Sequence, residues 1–411
     1  MTKQICLRTI PLLLVSVASI CSYAANTEYQ NFFAGACLNP TGQLAVRCAE
    51  TPSGGGNLSG DSESSLNPSQ VLSTADLAYS NARSKNEKNN ELIKSQQTAD
   101  EGVKVDLGPF SLLLNGYSLQ EEQSRDIDID AERGYDLDAS GVEVGVDYRA
   151  SDTFVVGGLV AWENSKIEFV GENSGVNFTP LANSAGKMDQ DSVTLTVFAS
   201  LELGESGYLS AAAGYSKLEM DVTRNSVFQE STRSLDQVNV RVAADMQGSA
   251  TWVALNWGYV AEFGSWTLSP RVGVLSSRSA VDAYTEEDVN NSGLAMSVNQ
   301  VERNSLLGQL SLGLSGSWST ESALFIPQMR IDFEHEFDTD APATSARFLL
   351  DSGNTQYLLS AQERESDTLN VGVGMLVILP NGWMPFVDYQ ILLGNSQRDS
   401  YRITAGLRKE I

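Results

Sequence analysis

Few residues of this 411-residue chain are of types that could do chemistry together, and each set can be weighed against what its reaction requires. Gly60-Asp61-Ser62 offers a serine beside an acidic neighbour, and a serine becomes a nucleophile when a histidine within hydrogen-bond reach takes its proton. The chain has one histidine, His335, whose phase in 325–337 puts it on the apolar face with Phe325, Met329, Ile331, Phe333 and Phe337. A histidine in that position is expected to sit in an aromatic girdle and not to act as a base. Asp126-x-Asp128-x-Asp130 opens as a calcium loop does. Its sixth position is Ala131 where the turn needs Gly, and its twelfth is Leu137 where a bidentate Glu is needed, so that reading fails. The opposite face of 325–337 carries Arg330, Asp332, Glu334 and Glu336, charges that can pair with one another or fix a plug if that face lines a lumen. Cys37 and Cys48 stand close together in a Gly/Pro/Ser-rich segment, and an even pair in an exported protein reads as a disulfide. Closing so short a loop is worth about 3 kcal/mol to local structure. No cofactor or metal site emerges, and the chain reads as a protein that is not an enzyme.

Export is written at the N-terminus. Lys3 and Arg8 give a positive start, Leu12 to Ile20 an apolar core, and Ser22-Tyr23-Ala24 small residues for cleavage after Ala24. That core falls short of the roughly 20 apolar residues of a permanent span. Lipidation at Cys21 is disfavoured because Ile20 stands where a small residue is needed. Cys6 and Cys21 leave with the signal. The net charge of −25, more negative still after cleavage, excludes nucleic acid as a partner but not a membrane.

The elements that must position these residues alternate. Leu306, Leu310, Leu312, Leu314 and Trp318 share one face, while Gln309, Ser311, Gly313, Ser315 and Ser317 share the other. Leu369, Val371, Val373, Met375, Val377 and Leu379 repeat the pattern, as do Val193, Leu195, Val197, Leu201 and Leu203, and Val253, Leu255, Trp257, Tyr259 and Phe263. Period-two patterning of this length marks strands with one apolar face and one polar face. They approach the roughly 9–11 residues a tilted membrane strand needs. Aromatics near strand ends (Trp162, Trp266, Trp318, Trp383, Tyr208, Tyr389, Tyr401) suit interfacial girdles. A soluble β-sandwich is the rival architecture. Twelve strands are expected at 104–118, 138–150, 153–167, 190–204, 206–222, 248–263, 265–282, 303–318, 321–338, 366–380, 382–394 and 399–411. Short turns near Ser151, Gly204, Gly264, Thr320 and Asn381 alternate with long polar connections. Segments 228–245 and 345–360 read as hairpin extensions of loops, with a fourteen-strand count as the alternative.

Over roughly 300 positions the chain resembles the autotransporter β-domain. The resemblance rests on Ala213-Gly214-Tyr215, Trp257-Gly258-Tyr259, Trp266-Thr267-Leu268-Ser269-Pro270, Phe325-Ile326-Pro327 leading into Phe333-Glu334-His335-Glu336-Phe337-Asp338, Trp383 with Pro385, and the closing run from Tyr401 to Arg408. The departure is Ile411, where the family commonly ends in an aromatic read by the barrel-assembly machinery; Lys409 shares its face. The resemblance implies a helix through the pore before strand one, for which 68–98 is the candidate, with Ala75, Leu77, Ala78 and Ala82 as a weak apolar stripe. It also implies periplasmic chaperones and the assembly machinery as partners, beside outer-membrane lipid. Gly60-Asp61-Ser62 resembles the nucleophile block of lipases carried by some members. Asn89-Asn90 before Glu91 is similar to sites where a helix asparagine, assisted by lumen carboxylates, cuts the passenger free.

The expected organisation is a signal peptide (1–24), a short disulfide-containing polar segment serving as vestigial passenger or linker (25–67), a pore helix or linker (68–103), and the barrel (104–411). The segment is too short for a β-helix or an enzyme domain. The fold expected is all-β, a 12-stranded antiparallel transmembrane barrel, monomeric, integral to the Gram-negative outer membrane, with external loops at the cell surface. Its role is to translocate or anchor the short N-terminal segment. The alternative is a general diffusion pore with a periplasmic N-terminal segment; an outer-membrane hydrolase ranks below both.

Overall fold

Alternation of side chains along each strand sorts the residues into two surfaces, and the polarity of those surfaces is the reverse of a soluble protein's. The computed structural model describes residues 26–74, 109–123, 133–172, 177–230, 237–341, 343–361 and 364–410. Twelve long strands form the barrel: β1 (Phe110–Gln123), β2 (Tyr135–Ser151), β3 (Phe154–Val170), β4 (Ser184–Leu203), β5 (Gly207–Gln229), β6 (Gln237–Tyr259), β7 (Trp266–Val281), β8 (Val301–Gly316), β9 (Leu324–Glu336), β10 (Asp367–Ile378), β11 (Trp383–Leu393) and β12 (Arg398–Glu410). Each pairs antiparallel with the next in sequence, and β12 closes on β1 from Ser111↔Glu410 to Gln123↔Arg398. Closure leaves no strand edge in lipid, where unpaired backbone groups are very costly. The twelve-strand expectation holds and the fourteen-strand alternative does not.

Leu112, Leu114, Val144, Val146, Val193, Val197, Val253, Leu310, Leu312 and Val373 are exposed on the outer surface, whereas Ser192, Thr194, Thr196, Ser210, Ser216, Asn256, Ser311 and Asn370 are buried inside. An apolar belt around a polar interior is the arrangement lipid demands. Trp266, Trp318 and Trp383 lie outward near the short-turn end of the belt, and Trp162, Tyr389 and Tyr401 also lie outward. Tyr208 departs from the girdle expected of it: its phase on β5 turns it inward, against Gly258 on β6.

β4 to β6 have 20, 23 and 23 residues, far longer than a crossing needs. Beyond the belt the alternation continues but its sign reverses. The outward positions become Lys187, Asp189, Glu219, Asp221 and Asp245, while the inward ones become Met188, Leu218, Met220, Val240, Val242 and Met246. Strand ends expected at 222 and 248 therefore extend to Gln229 and Gln237. Period-two hydrophobicity persists there, but with the polar face outward it no longer signals a lipid contact. Segment 345–360 is a loop hairpin, as expected: the short strands Ala343–Phe348 and Tyr357–Ser360 pair, and with Tyr284–Thr285 and Met296–Val298 they form a separate four-stranded sheet.

The N-terminal residues fold at the same end. Helices α1 (Thr27–Ala36), α2 (Gly42–Ala49) and α3 (Gly60–Ser64) lead to a further helical turn at 70–74. Asn26 caps α1 by accepting a hydrogen bond from the Tyr29 amide, and Ser59 and Ser62 form a capping box on α3. The signal segment with Ala24, the remainder of the expected pore helix, Asn89, Asn90 and the 126–130 aspartates lie outside the described residues.

Candidate functional site

Inside the membrane-level lumen, the β9 charges are held by neighbours on both sides. Arg330 Nε lies 2.7 Å from Asp332 Oδ2 and its NH2 3.7 Å from Asp388 on β11, while Arg271 on β7 reaches Asp332 at 3.4 Å. Glu334 accepts from Gln309 at 2.6 Å and from Thr368 and Asn370 at 3.2 Å. Glu336 accepts from the Leu306 amide at 2.9 Å and from Ser305. A second set lines the opposite wall: Tyr117 donates to Glu163, Asn115 to Glu143, and Arg408 pairs with Asp147 at 3.6 Å. Carboxylates that accept two or three hydrogen bonds from neighbouring strands tie the wall together. The arrangement chemically favours cross-strand stitching.

The lumen surface carries a steric counterpart. Tyr117, Phe198, Trp252, Tyr208 and Phe386 each pair directly with a glycine on the adjacent strand: Gly141, Gly157, Gly214, Gly258 and Gly406. A Cβ on any of these glycines would fall within about 2.5 Å of the ring, so each ring lies over bare backbone.

The nucleophile candidates do not meet. Ser62 is fully buried, and its hydroxyl donates to the Ser59 carbonyl at 2.9 Å while accepting from the Ser59 amide at 2.7 Å. His335 faces outward, its Nδ1 2.8 Å from Asp367 Oδ1 and its ring edge-on to Phe337 at 4.7 Å. Each side chain is committed to its own local structure, in separate parts of the fold.

The most elaborate construction is at the long-loop end. Tyr29, Phe32, Phe33 and Ala36 bury one face of α1, at the i, i+3, i+4, i+7 spacing of a helical stripe. Phe32 stacks between Phe348 and Tyr357 at 5.0 and 5.1 Å, and Tyr29 meets Tyr357 edge-on at 5.2 Å. Leu44, Leu58, Leu66, Val71 and Leu72 join the same core with Leu294, Met296, Val298, Leu359, Phe228, Val240 and Val242. The Cys37–Cys48 disulfide, with Cα atoms 5.4 Å apart, fastens α1 to α2 at the rim of this core. Pro40 bridges Asp351, and Thr41 donates to the Leu350 carbonyl through both amide and hydroxyl.

Below the core, barrel side chains grip the descending chain. Buried Arg224 on β5 makes a two-pronged ion pair with Glu286 at 2.7 and 3.0 Å, and also donates to the carbonyls of Leu66 and Leu294, both at 3.1 Å. Its ion pair keeps it firmly charged, above its ordinary pKa, despite burial. Arg133 donates to the Ser65 carbonyl at 2.8 Å, Ser65 meets Ser226 at 3.1 Å, and Gln70 donates to the Ala185 carbonyl at 2.7 Å. Glu63, buried near Glu230, has its pKa pushed up to about 7, first by desolvation and then by that second carboxylate. Tyr29 and Tyr284 are raised well above the usual phenol range, mainly by burial. Sequence reasoning missed this region apart from the disulfide. The aromatic stripe of α1 was the available signal, but its partners lie some 300 residues away.

Comparison with known proteins agrees with this geometry. The sequence profile described as the autotransporter beta-domain matches residues 122–390. The fold is similar to the translocator domain of autotransporter NalP from Neisseria meningitidis, at 15% identity and a TM-score of 0.57, covering 81% of this chain and 98% of that one. It is also similar to the beta domain of the Bordetella autotransporter BrkA, at 16% identity and a TM-score of 0.51, covering 74% and 100%. A comparison with curated protein sequences returned no match. A closed twelve-stranded barrel with a lipid-facing apolar belt, matched by that profile over most of its length, belongs to the autotransporter β-domain family of Gram-negative outer-membrane proteins.

Proposed function

We propose that the protein is a non-enzymatic translocator and anchor for its own N-terminal segment, which it carries to the cell surface and keeps there. The observation that supports this is the placement of residues 65–70 and of the start of β1 at opposite mouths of the barrel. Residues 65–70 are gripped at the long-loop end, by Arg133, Arg224 and the Ala185 carbonyl. Strand β1 begins at the opposite, short-turn end, where Arg149 bonds the Pro109 carbonyl and Phe110 pairs with Tyr148. A segment held at one mouth and a first strand entered from the other is the arrangement expected when the segment has crossed the barrel. Long loops facing outward and short turns facing the periplasm are the usual asymmetry of outer-membrane barrels. The non-enzymatic reading is supported by the placement of the candidates: Ser62 is buried against Ser59 in the N-terminal segment while His335 faces outward from β9 beside Asp367.

The test is a single cysteine at exposed Ser53, challenged on intact cells with a membrane-impermeant maleimide. Labelling without permeabilisation is the expected result. Labelling that appears only after the outer membrane is breached would put the segment in the periplasm and favour the diffusion-pore alternative.

A further inference from the structure

The reversal of strand polarity beyond the belt, the four-stranded loop sheet and the N-terminal helices share one property: none has a complete core alone. The helices contribute Tyr29, Phe32, Phe33, Leu44, Leu58 and Leu66; the loops contribute Leu294, Met296, Val298, Phe348, Tyr357 and Leu359; the strand extensions contribute Phe228, Val238, Val240 and Val242. These form a single cluster, with residues of all three sets buried in one core. A segment of fewer than fifty residues is below the size at which a chain usually builds its own core. The polar contacts repeat the pattern. Arg224 alone joins a barrel strand, the Glu286 loop and the Leu66 backbone.

We infer that these three parts form one co-folded cap that shuts the long-loop mouth of the barrel, with Arg224 as its latch. The inference deepens the anchor reading by stating what the retained segment does. It is an obligate piece of a closure, and its binding partner is the apolar platform built by the loops of its own barrel. The ion pair suits a latch because it is buried. Removing one member of a buried, hydrogen-bonded pair strands the other charge and the carbonyls it served, so the closed state loses far more than a surface contact would cost. The platform supplies the adhesive area, and Phe32 between Phe348 and Tyr357 is its centre.

Solvent access to a cysteine below the cap tests this on the purified full chain in liposomes. Met188, inward on β4 and fully buried, is the reporter position as Met188→Cys. The native cysteines outside the signal are already paired. In the otherwise unchanged protein the thiol should resist a bulky maleimide. Adding Arg224→Ala, or separately Phe348→Ala, should raise its labelling rate by roughly 100- to 1,000-fold, the scale set by removing one member of a buried pair or a core aromatic ring. Heat-modifiable migration on gels should show an intact barrel in each. Two results would overturn the inference: rapid labelling with the cap residues unchanged, which means an open mouth, or continued protection when trypsin shows that both variants have released α1 and α2. Because the assay uses purified protein, its failure is distinct from failure of the surface-location experiment. A cap can shut the mouth whichever side of the membrane it faces.

Discussion

A glycine facing the lumen at position 214 does something no other residue could. The Trp252 ring lies where a Cβ would stand, 2.3 Å from its nearest ring atoms, so any side chain there must push indole out of a directly paired position. Gly214→Val is expected to destabilise the barrel by about 1–3 kcal/mol, the usual cost of overpacking. A lowered temperature for the heat-modifiable gel shift would register it, and an unchanged transition would show that the ring can move freely. Glu63 makes a different single-residue case. Its carboxyl is protonated in both folded and unfolded chains below its ordinary value of 4.5, and the cap then has its full stability. The folded-state pKa is raised, so stability falls as pH climbs from there through about 7, while the unfolded chain ionises first. Hydrogen exchange in α3 should therefore quicken between pH 5 and pH 8 beyond the intrinsic rate change. Glu63→Gln should flatten that dependence; a dependence that survives the substitution would assign it to another group.

At the scale of elements, the α1–α2 pair is held by a covalent staple as well as by packing. Replacing Cys37 and Cys48 with serine should cost the cap about 3 kcal/mol. Limited proteolysis between α1 and α2 should detect this while the barrel transition stays put. Loss of the barrel transition instead would mean that cap and barrel unfold as one unit. Strands and helices differed sharply in how far the sequence disclosed them. The twelve strands are legible because alternation is local and each pattern occupies consecutive residues. β5 and β6 run on past the ends expected at 222 and 248, and on the β6 extension Asn239, Arg241, Asp245 and Gln247 face out while Val238, Val240, Val242 and Met246 face in. A period-two signal cannot announce which side is water. The N-terminal segment read as a polar linker because its hydrophobic residues answer to Phe348 and Tyr357, and no local pattern reports a partner so remote in sequence. Tyr208 stands near a turn as a girdle residue would, but strand phase alone decides its side, and that side is inward.

For the whole molecule, the belt is the feature on which membrane residence depends. Leu312 stands outward on β8, directly opposite Ile331 on β9, with apolar Leu310 and Leu314 either side on its own face. An arginine there is expected to cost about 2–4 kcal/mol if that level is mid-bilayer, falling toward zero near an interface. The same change at Asp221, beyond the belt, should leave insertion untouched. Measuring both in refolding titrations into vesicles would map where lipid ends on this wall, and equal costs at the two positions would contradict the belt as drawn.

The point at which β4, β5 and β6 exchange oily for charged outer faces has a mechanical consequence. On their outward faces Val193 and Tyr215 are followed directly by Asp191 and Lys217, and Val253 gives way through Thr251 and Ser249 to Gln247 and Asp245, so the change falls within a few residues on three neighbouring strands. Sinking by one pleat would drown carboxylates in hydrocarbon, and rising by one would strand valines in water. The particle therefore rides at a single draught, and everything above that line stands at a height set in advance by the order of its amino acids.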